Sequence, residues 1–487
     1  MFDSEQKLRV PAPEPYPVLG WRGNVLAITS DPFTYISDLK QRFGKVAGLV
    51  RGGNPAILFP QPECPGTVFV FGVENNRAVM SQPNIFQSGP IIGPAYGNWT
   101  ESEDQAVLRR VGTGLFSLNG EIHQKHRRLL LPAFHRRQID IYASVIVSLT
   151  ERLLDSWHIG ELHDIQREMF HHTLTVAGQT LFGQDFAEQA ADIGATIQEW
   201  LQLIPIVSID PHDTEQLPYQ RFLAICKRLD EQIRTIIDAK RHAPDGSEDA
   251  LSALISARDE DGSALSEDDL VGHINILLTA GHETTANAIS WTLMLLSQHP
   301  QIAAELYEEI HGAFQGSPPS PEKLKALPLL DHVVKESMRL FPPVTMGSRL
   351  VSENTELGGY ALPAGTEIAF SHFHTHHDPE IYGNAARFIP GRWEKITPDP
   401  YEYFPFSTGV KMCLGAPFAL MEIKIVLAMF LQRFRAEFTP VSPINRHVWV
   451  PFRPNCMPLT LREPGSGYHH GVSLLRGNVR EIVDLPS

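Results

Sequence analysis

Between Ser266 and His299 the chain runs for roughly 30 residues without a proline. Ser266, with Asp269 three residues later, forms a capping start. His299-Pro300 ends the stretch. As a helix it would be about 45 Å long at about 1.5 Å per residue. Its first half carries Ile274, Ile276, Leu277 and Leu278. A rod that long and that apolar must run through the protein, which argues for one large domain built around it. The 487 residues, 43% of them hydrophobic, suffice for such a core and for a buried cofactor.

Around this rod the pattern is mainly helical with minor β. Apolar residues recur every three or four positions over much of 120–315, and again over 320–340 and 416–434. A small sheet with a helix at 32–43 is expected from 21 to 71, where LFP and TVFVFG are the best strands. Gly, Pro and short β-like runs dominate 345–405. The expected organisation is a proline-rich lead-in (1–20), the domain itself (21–464) and a C-terminal extension (465–487) whose role the sequence does not disclose.

The middle of the long helix reads Ala280-Gly281-His282-Glu283-Thr284-Thr285. Gly281 costs about 1 kcal/mol relative to Ala in a helix interior, and Thr hydroxyls can bond back to carbonyls. Such locally unfavourable choices are where function tends to sit. A second segment, Phe406-Ser-Thr-Gly409-Val-Lys411-Met-Cys413-Leu-Gly415, lies between a β-like run and a helix. Its glycines allow a tight turn and close approach to a flat ligand. Cys413 stands just before a helix N-terminus, where the dipole and free N–H groups favour an anionic sulfur, and Lys411 adds positive charge. Upstream, Glu336 and Arg339 share a helix face in KESMRLFPPV, and Arg392 follows in FIPGRW.

In this order and spacing the motifs resemble those of the cytochrome P450 superfamily, over nearly the whole chain. The resemblance implies a single large helical domain with small β-sheets that holds haem b. Cys413 would be the sulfur ligand to iron, with Phe406, Gly409, Gly415 and Ala280 against the haem. Lys411 stands where the family usually has Arg, so the charge is kept and the forked donor geometry is not. Glu336, Arg339 and Arg392 would form a buried structural triad, stable only when mutually paired. His123 and Arg127, one turn apart, match residues that bind a haem propionate, as does Arg349; His126 is a rival for the histidine role. Glu283 and Thr284 match the acid and alcohol that deliver protons during O2 activation. By family position the substrate would meet Ile276, Leu277, Val344, Thr345, Met346, Val450 and the segment 86–116.

The implied reaction is reductive O2 activation and insertion of one oxygen atom into an apolar substrate such as a terpenoid, fatty acid, steroid or polyketide. A separate ferredoxin or flavodoxin, with its reductase, would supply electrons. Lys125, Arg128, His135, Arg136 and Arg137 suggest a docking face for such an acidic donor. A peroxygenase or hydroperoxide-rearranging enzyme is disfavoured by Glu283-Thr284; a haem-binding sensor is the alternative outside catalysis. The net charge of -15 argues against nucleic-acid binding. Four scattered cysteines indicate neither a disulfide framework nor zinc, and fit a reducing compartment. The N-terminal region has no apolar run of signal or membrane-anchor length, so a cytoplasmic, unanchored protein is expected.

Overall fold

The computed structural model describes residues 8–54, 56–58, 64–90, 102–183, 187–207, 217–242, 249–438, 443–447, 452–465 and 475–486. The long helix spans Glu267–Gln298 and opens with a capping box in which Ser266 and Asp269 bond reciprocally. Most of its residues are buried, and it packs chiefly on the helix Ile165–Phe182. One hydrophobic core runs through these two helices and through Arg136–Asp155, Leu217–Arg241, Pro328–Leu340 and Ala416–Arg433.

Two glycines set how closely the chain crosses the central helix. A Cβ on Gly272 would lie 1.7 Å from the Thr113 carbonyl oxygen, and one on Gly114 would lie 2.6 Å from Ile276 Cγ1. The loop after the helix Glu103–Gly112 therefore lies directly on the rod. Asn275 Nδ2 fixes it by donating to the Val111 carbonyl at 2.9 Å.

The β-structure is small. A five-stranded sheet has the order Val46–Gly48, Thr67–Val70, Glu367–Ser371, Met346–Val351, Phe86–Gln87. Among the described residues its parallel pairing joins Thr67–Val70 to Glu367–Ser371; antiparallel pairing then sets Arg349 opposite Ile368. The helix Pro32–Phe43 and the strand in TVFVFG fall where the pattern predicts. The helical signal at 320–340 is two helices, Pro321–Leu324 and Pro328–Leu340, because Pro328 starts a new first turn. Among the described residues no helix is long and apolar enough to cross a membrane. The C-terminal segment 475–486 is packed: Leu475, Val479, Ile482, Val483 and Leu485 enter the main core.

Candidate active site

The Cys413 loop is a tight reversal. Ser407 and Gly409 have φ of 58° and 67°, and the Cys413 N–H donates back to the Phe406 carbonyl at 2.8 Å. Ser407 bears the strain of a left-handed conformation that only glycine adopts freely. Burial pushes the Cys413 thiol up, while the Gly415 and Ala416 N–H groups and the Arg127 guanidinium favour its anion. Those amides open the helix Ala416–Arg433, so the helix N-terminus is aimed at the sulfur. The residue is solvent-accessible although protein atoms crowd its sulfur. Gly415 has φ −83°, and a Cβ there would meet only Phe134 at 3.8 Å. Neither strain nor a protein neighbour demands glycine at that position.

Four basic groups converge beside this loop. Arg127 donates to the Met412 carbonyl at 2.8 Å, and Lys411 Nζ bonds the Leu118 carbonyl. Arg349 is 8% exposed, donates to the Ser348 carbonyl at 2.7 Å and lies 5.5 Å from the Phe370 ring centre. Burial holds Arg349 down at about 10. Burial, then Arg349 and Arg127, pull Lys411 down to about 7. His123 is pushed to about 4 by burial and then by Lys411 and Arg127. None of the four has a carboxylate partner among the described residues. Partly buried cations crowded so that Arg127 and Arg349 lower the protonation of Lys411 and His123 call for an anion from outside the chain.

The Glu336 group is the reverse case. Its Oε1 accepts from Arg339 at 2.9 Å, Arg392 at 2.9 Å and the Ile389 N–H at 3.0 Å; its Oε2 accepts from Arg339 at 3.0 Å and Trp393 Nε1 at 3.1 Å. Arg339 also ties down the carbonyls of His376 and Ala385, each at 2.8 Å.

On the central helix, Ala280 is exposed in the middle of an otherwise buried rod. Ile276, Ala280 and Thr284 are one stripe at four-residue spacing, with Leu277 and Gly281 beside it; these four neighbours of Ala280 are all partly accessible. A Cβ on Gly281 would lie 4.0 Å from the Ala177 side chain. Thr284 Oγ1 donates to the Ala280 carbonyl at 2.8 Å, Thr285 Oγ1 to Gly281 at 3.2 Å, and His282 Nδ1 to Leu278 at 2.6 Å. Thr173, from the neighbouring helix, takes the His282 carbonyl at 2.9 Å. This turn thus draws extra donors onto four of its carbonyls. Glu283 faces away from solvent at 7% exposure, and burial raises its carboxyl above the ordinary range. Its charged neighbour is Arg453, at 3.5 Å.

An accessible thiol backed by a helix N-terminus, unpartnered cations beside it, and an acid–alcohol pair on a separate long helix together suit a thiolate-bound haem with two propionates. The cytochrome P450 family profile matches residues 11–449. The chain belongs to the cytochrome P450 family. It is 30% identical over 399 residues to the pentalenene oxygenase of Streptomyces avermitilis, covering 80% of this chain and 86% of that one. It is also 30% identical over 441 residues to the cyclooctatin synthase of Streptomyces melanosporofaciens, covering 87% and 89%. The solved structure of a cytochrome P450DA heme domain superposes with a TM-score of 0.79 at 23% identity, covering 94% of this chain and 98% of that one. A retinoic-acid-bound cyanobacterial P450 gives 0.76 at 24%, covering 94% and 100%. These two support the fold. As a P450 the protein is an oxidoreductase that uses haem b, O2, an apolar substrate and a ferredoxin-type electron donor.

Several expected contacts sit elsewhere in this P450. Thr345 is fully buried, and its carbonyl accepts from Ser371 Oγ and the Phe373 N–H. Met346 packs into the cluster behind the sheet with Ile28, Leu39 and Phe69. Val344 lies before the strand that begins at Met346 and stays partly accessible. Val450, and 91–101 of the segment 86–116, lie outside the described residues. His126 bonds His273 at 2.9 Å and so leaves the cation cluster to His123. In the supposed docking face, Lys125 is paired with Asp261 and Arg128 with Asp259; His135, Arg136 and Arg137 are exposed. Sequence reasoning missed Trp393 as a donor to Glu336, and Arg453. Trp393 was readable in principle, as the neighbour of Arg392; Arg453 carries no local signal.

Proposed function

We propose that this P450 is a monooxygenase that hydroxylates or epoxidises a terpenoid hydrocarbon, with Cys413 as the haem ligand. Overall, O2, one substrate C–H bond, two electrons and two protons would give one alcohol and one water. The observation that carries the reading is the open stripe on the central helix, apolar at Ile276, Leu277 and Ala280 and ending at Thr284 with Glu283 behind it. Two relatives, the pentalenene oxygenase and the cyclooctat-9-en-7-ol 5-monooxygenase, are named for terpenoid substrates.

When bound, the haem supplies O2 reduction and cleavage, favoured by electron donation from a Cys thiolate. This chain does the rest. His123, Arg127, Arg349 and Lys411 would hold the propionates through charge-assisted bonds. Thr284 spends its hydroxyl proton on the Ala280 carbonyl, so its oxygen can accept a bond from a bound ligand or water. Glu283, raised by burial, holds a proton closer to neutral pH than an exposed Glu would, and can hand it on. The acid–alcohol pair favours O2-driven turnover over peroxide rearrangement and over sensing. Electrons come from a separate donor, for which the exposed Arg136 and Arg137 are an available basic face. A cytoplasmic setting with its reduced thiol pool suits a chain whose four cysteines are all free.

The test is O2 uptake by the haem-loaded protein with a ferredoxin and reductase. Polycyclic terpenoid hydrocarbons should raise uptake and yield oxygenated product, whereas fatty acids and steroids should not. Thr284→Ala should keep the haem spectrum but divert most reducing equivalents to peroxide. Undiminished product per O2 in that variant, or product from fatty acids alone, would refute the reading.

A further inference from the structure

Arg453 is the charged side chain that faces Glu283 among the described residues, and it reaches the acid from a distant part of the chain. It lies in the short hairpin that pairs Arg446–His447 with Arg453–Pro454. At 3.5 Å, with half of the Arg side chain exposed, the contact is a loose one. An arginine so exposed would drift unless its backbone were fixed.

The C-terminal segment fixes it. The Arg446 N–H donates to Asn478 Oδ1 at 2.8 Å, and the Asn478 N–H donates to Asn445 Oδ1 at 3.0 Å. Arg446 Nη1 donates to the Asn478 carbonyl at 2.6 Å and to Glu481 at 2.7 Å. The Ile444 N–H donates to the Arg476 carbonyl at 2.9 Å. Gly477, with φ 103°, lies so close that a Cβ would be 2.2 Å from the Ile444 carbonyl oxygen. Arg480 closes the segment on itself through the carbonyls of Leu475, Leu485 and Pro486. On the partner strand, the Asn455 N–H donates to the Asn445 carbonyl at 2.8 Å, and the Phe452 N–H donates to Pro343 at 2.8 Å. Phe452 itself packs on Phe33, Trp291 and Phe341, and Trp291 belongs to the same helix as Glu283.

We propose that residues 475–486 are a strap that clamps this hairpin and thereby holds Arg453 against Glu283, making Arg453 a positioning residue for proton delivery. The proposal rests on Glu283 being the proton-delivering acid. In each delivery Glu283 gives up one proton and regains one from solvent; no electron passes through Arg453. The guanidinium favours the carboxylate that is left behind, and its loose hold lets the carboxyl turn between solvent and the cleft.

The experiment uses the haem-loaded, full-length protein. The Glu283 carboxyl is followed by infrared difference spectroscopy against pH, assigned by its loss in Glu283→Gln, and product per O2 is measured with donor and substrate. Arg453→Leu should move the carboxyl titration to higher pH, leaving about tenfold more of the acid form above its midpoint, the low end of what a nearby opposite charge does. Product per O2 should fall, Arg453→Lys should restore it, and Arg453→Leu should add nothing in a Glu283→Gln background. Asn478→Ala, which loosens the clamp without touching either group, should shift the titration the same way by less. If Arg453→Leu leaves the titration in place, or its loss adds fully to that of Glu283→Gln, the positioning role is overturned. If Asn478→Ala moves nothing, the strap is overturned. If Glu283→Gln itself leaves product per O2 unchanged, it is the reading of Glu283 that fails.

Discussion

Two buried charged groups in this P450 are built on opposite terms. Around Glu336, both carboxylate oxygens are saturated by Arg339, Arg392, Trp393 and a backbone amide, and the leftover guanidinium protons find carbonyls. Around Lys411, the cations of Arg127 and Arg349 lower its protonation and that of His123, and no carboxylate among the described residues answers them. A charge cluster satisfied from within is architecture: it locks the helix Pro328–Leu340 to the segment that leads into the Cys413 loop. A cluster left unsatisfied costs stability and persists only where a ligand repays it. The difference separates scaffold from receptor without reference to any motif.

Substitution should break the two groups differently. Glu336→Ala strands two buried guanidinium groups and should cost about 3–5 kcal/mol, enough to abolish a folded, haem-binding protein; chemical denaturation of whatever folds is the measurement. Arg349→Met should do the reverse. Each charge-assisted bond is worth about 1.5–3 kcal/mol, so haem transfer to an acceptor protein should accelerate roughly 10- to 100-fold. The haem-free protein should be no less stable than its parent, because an unpaired buried cation has been removed. A large stability loss in the haem-free Arg349→Met protein would erase the distinction.

The smallest effect sharpens the comparison with a third case. Glu422 is fully buried, neither oxygen finds a partner among the described residues, and burial drives its carboxyl well above the ordinary value. That environment favours the neutral acid. A carboxyl in the unfolded chain titrates near about 4.3, so above that pH the folded state keeps a proton that the unfolded state has lost. Stability should therefore fall as pH rises from there toward the folded value. This group alone should cost about 1 kcal/mol between about pH 5 and pH 6. Glu422→Gln should flatten that slope in calorimetric scans; an unchanged slope would mean that the carboxyl is ionised in the fold.

Much of this was legible in the chain. The central helix was bounded by its own caps, and the Cys413 loop by its glycines and the helix after it. The triad was readable because Glu336 and Arg339 are neighbours on a helix and Arg392 follows in its own motif. What stayed hidden depends on long-range closure. The two helices in 320–340 look like one because the apolar period continues across Pro328. Thr345 and Met346 follow Val344 in sequence, but Met346 pairs opposite Ser371 and packs into the cluster behind the sheet, and the adjoining His372–His376 turn holds the Thr345 carbonyl. Arg453 meets Glu283 across a separation of 170 residues, and no local pattern encodes such a meeting. The C-terminal segment looks polar and loop-like, yet its few apolar residues are the ones the core takes up.

The central claim is that Cys413 is the thiolate ligand of a haem. The reduced carbon-monoxide difference spectrum of the purified, folded protein reads that bond directly. The long-wavelength band of a haem thiolate should be present and should vanish in Cys413→Ala, while Cys64→Ala, Cys226→Ala and Cys456→Ala retain it. A folded parent protein without the band, or a Cys413→Ala protein that keeps it, would contradict the account.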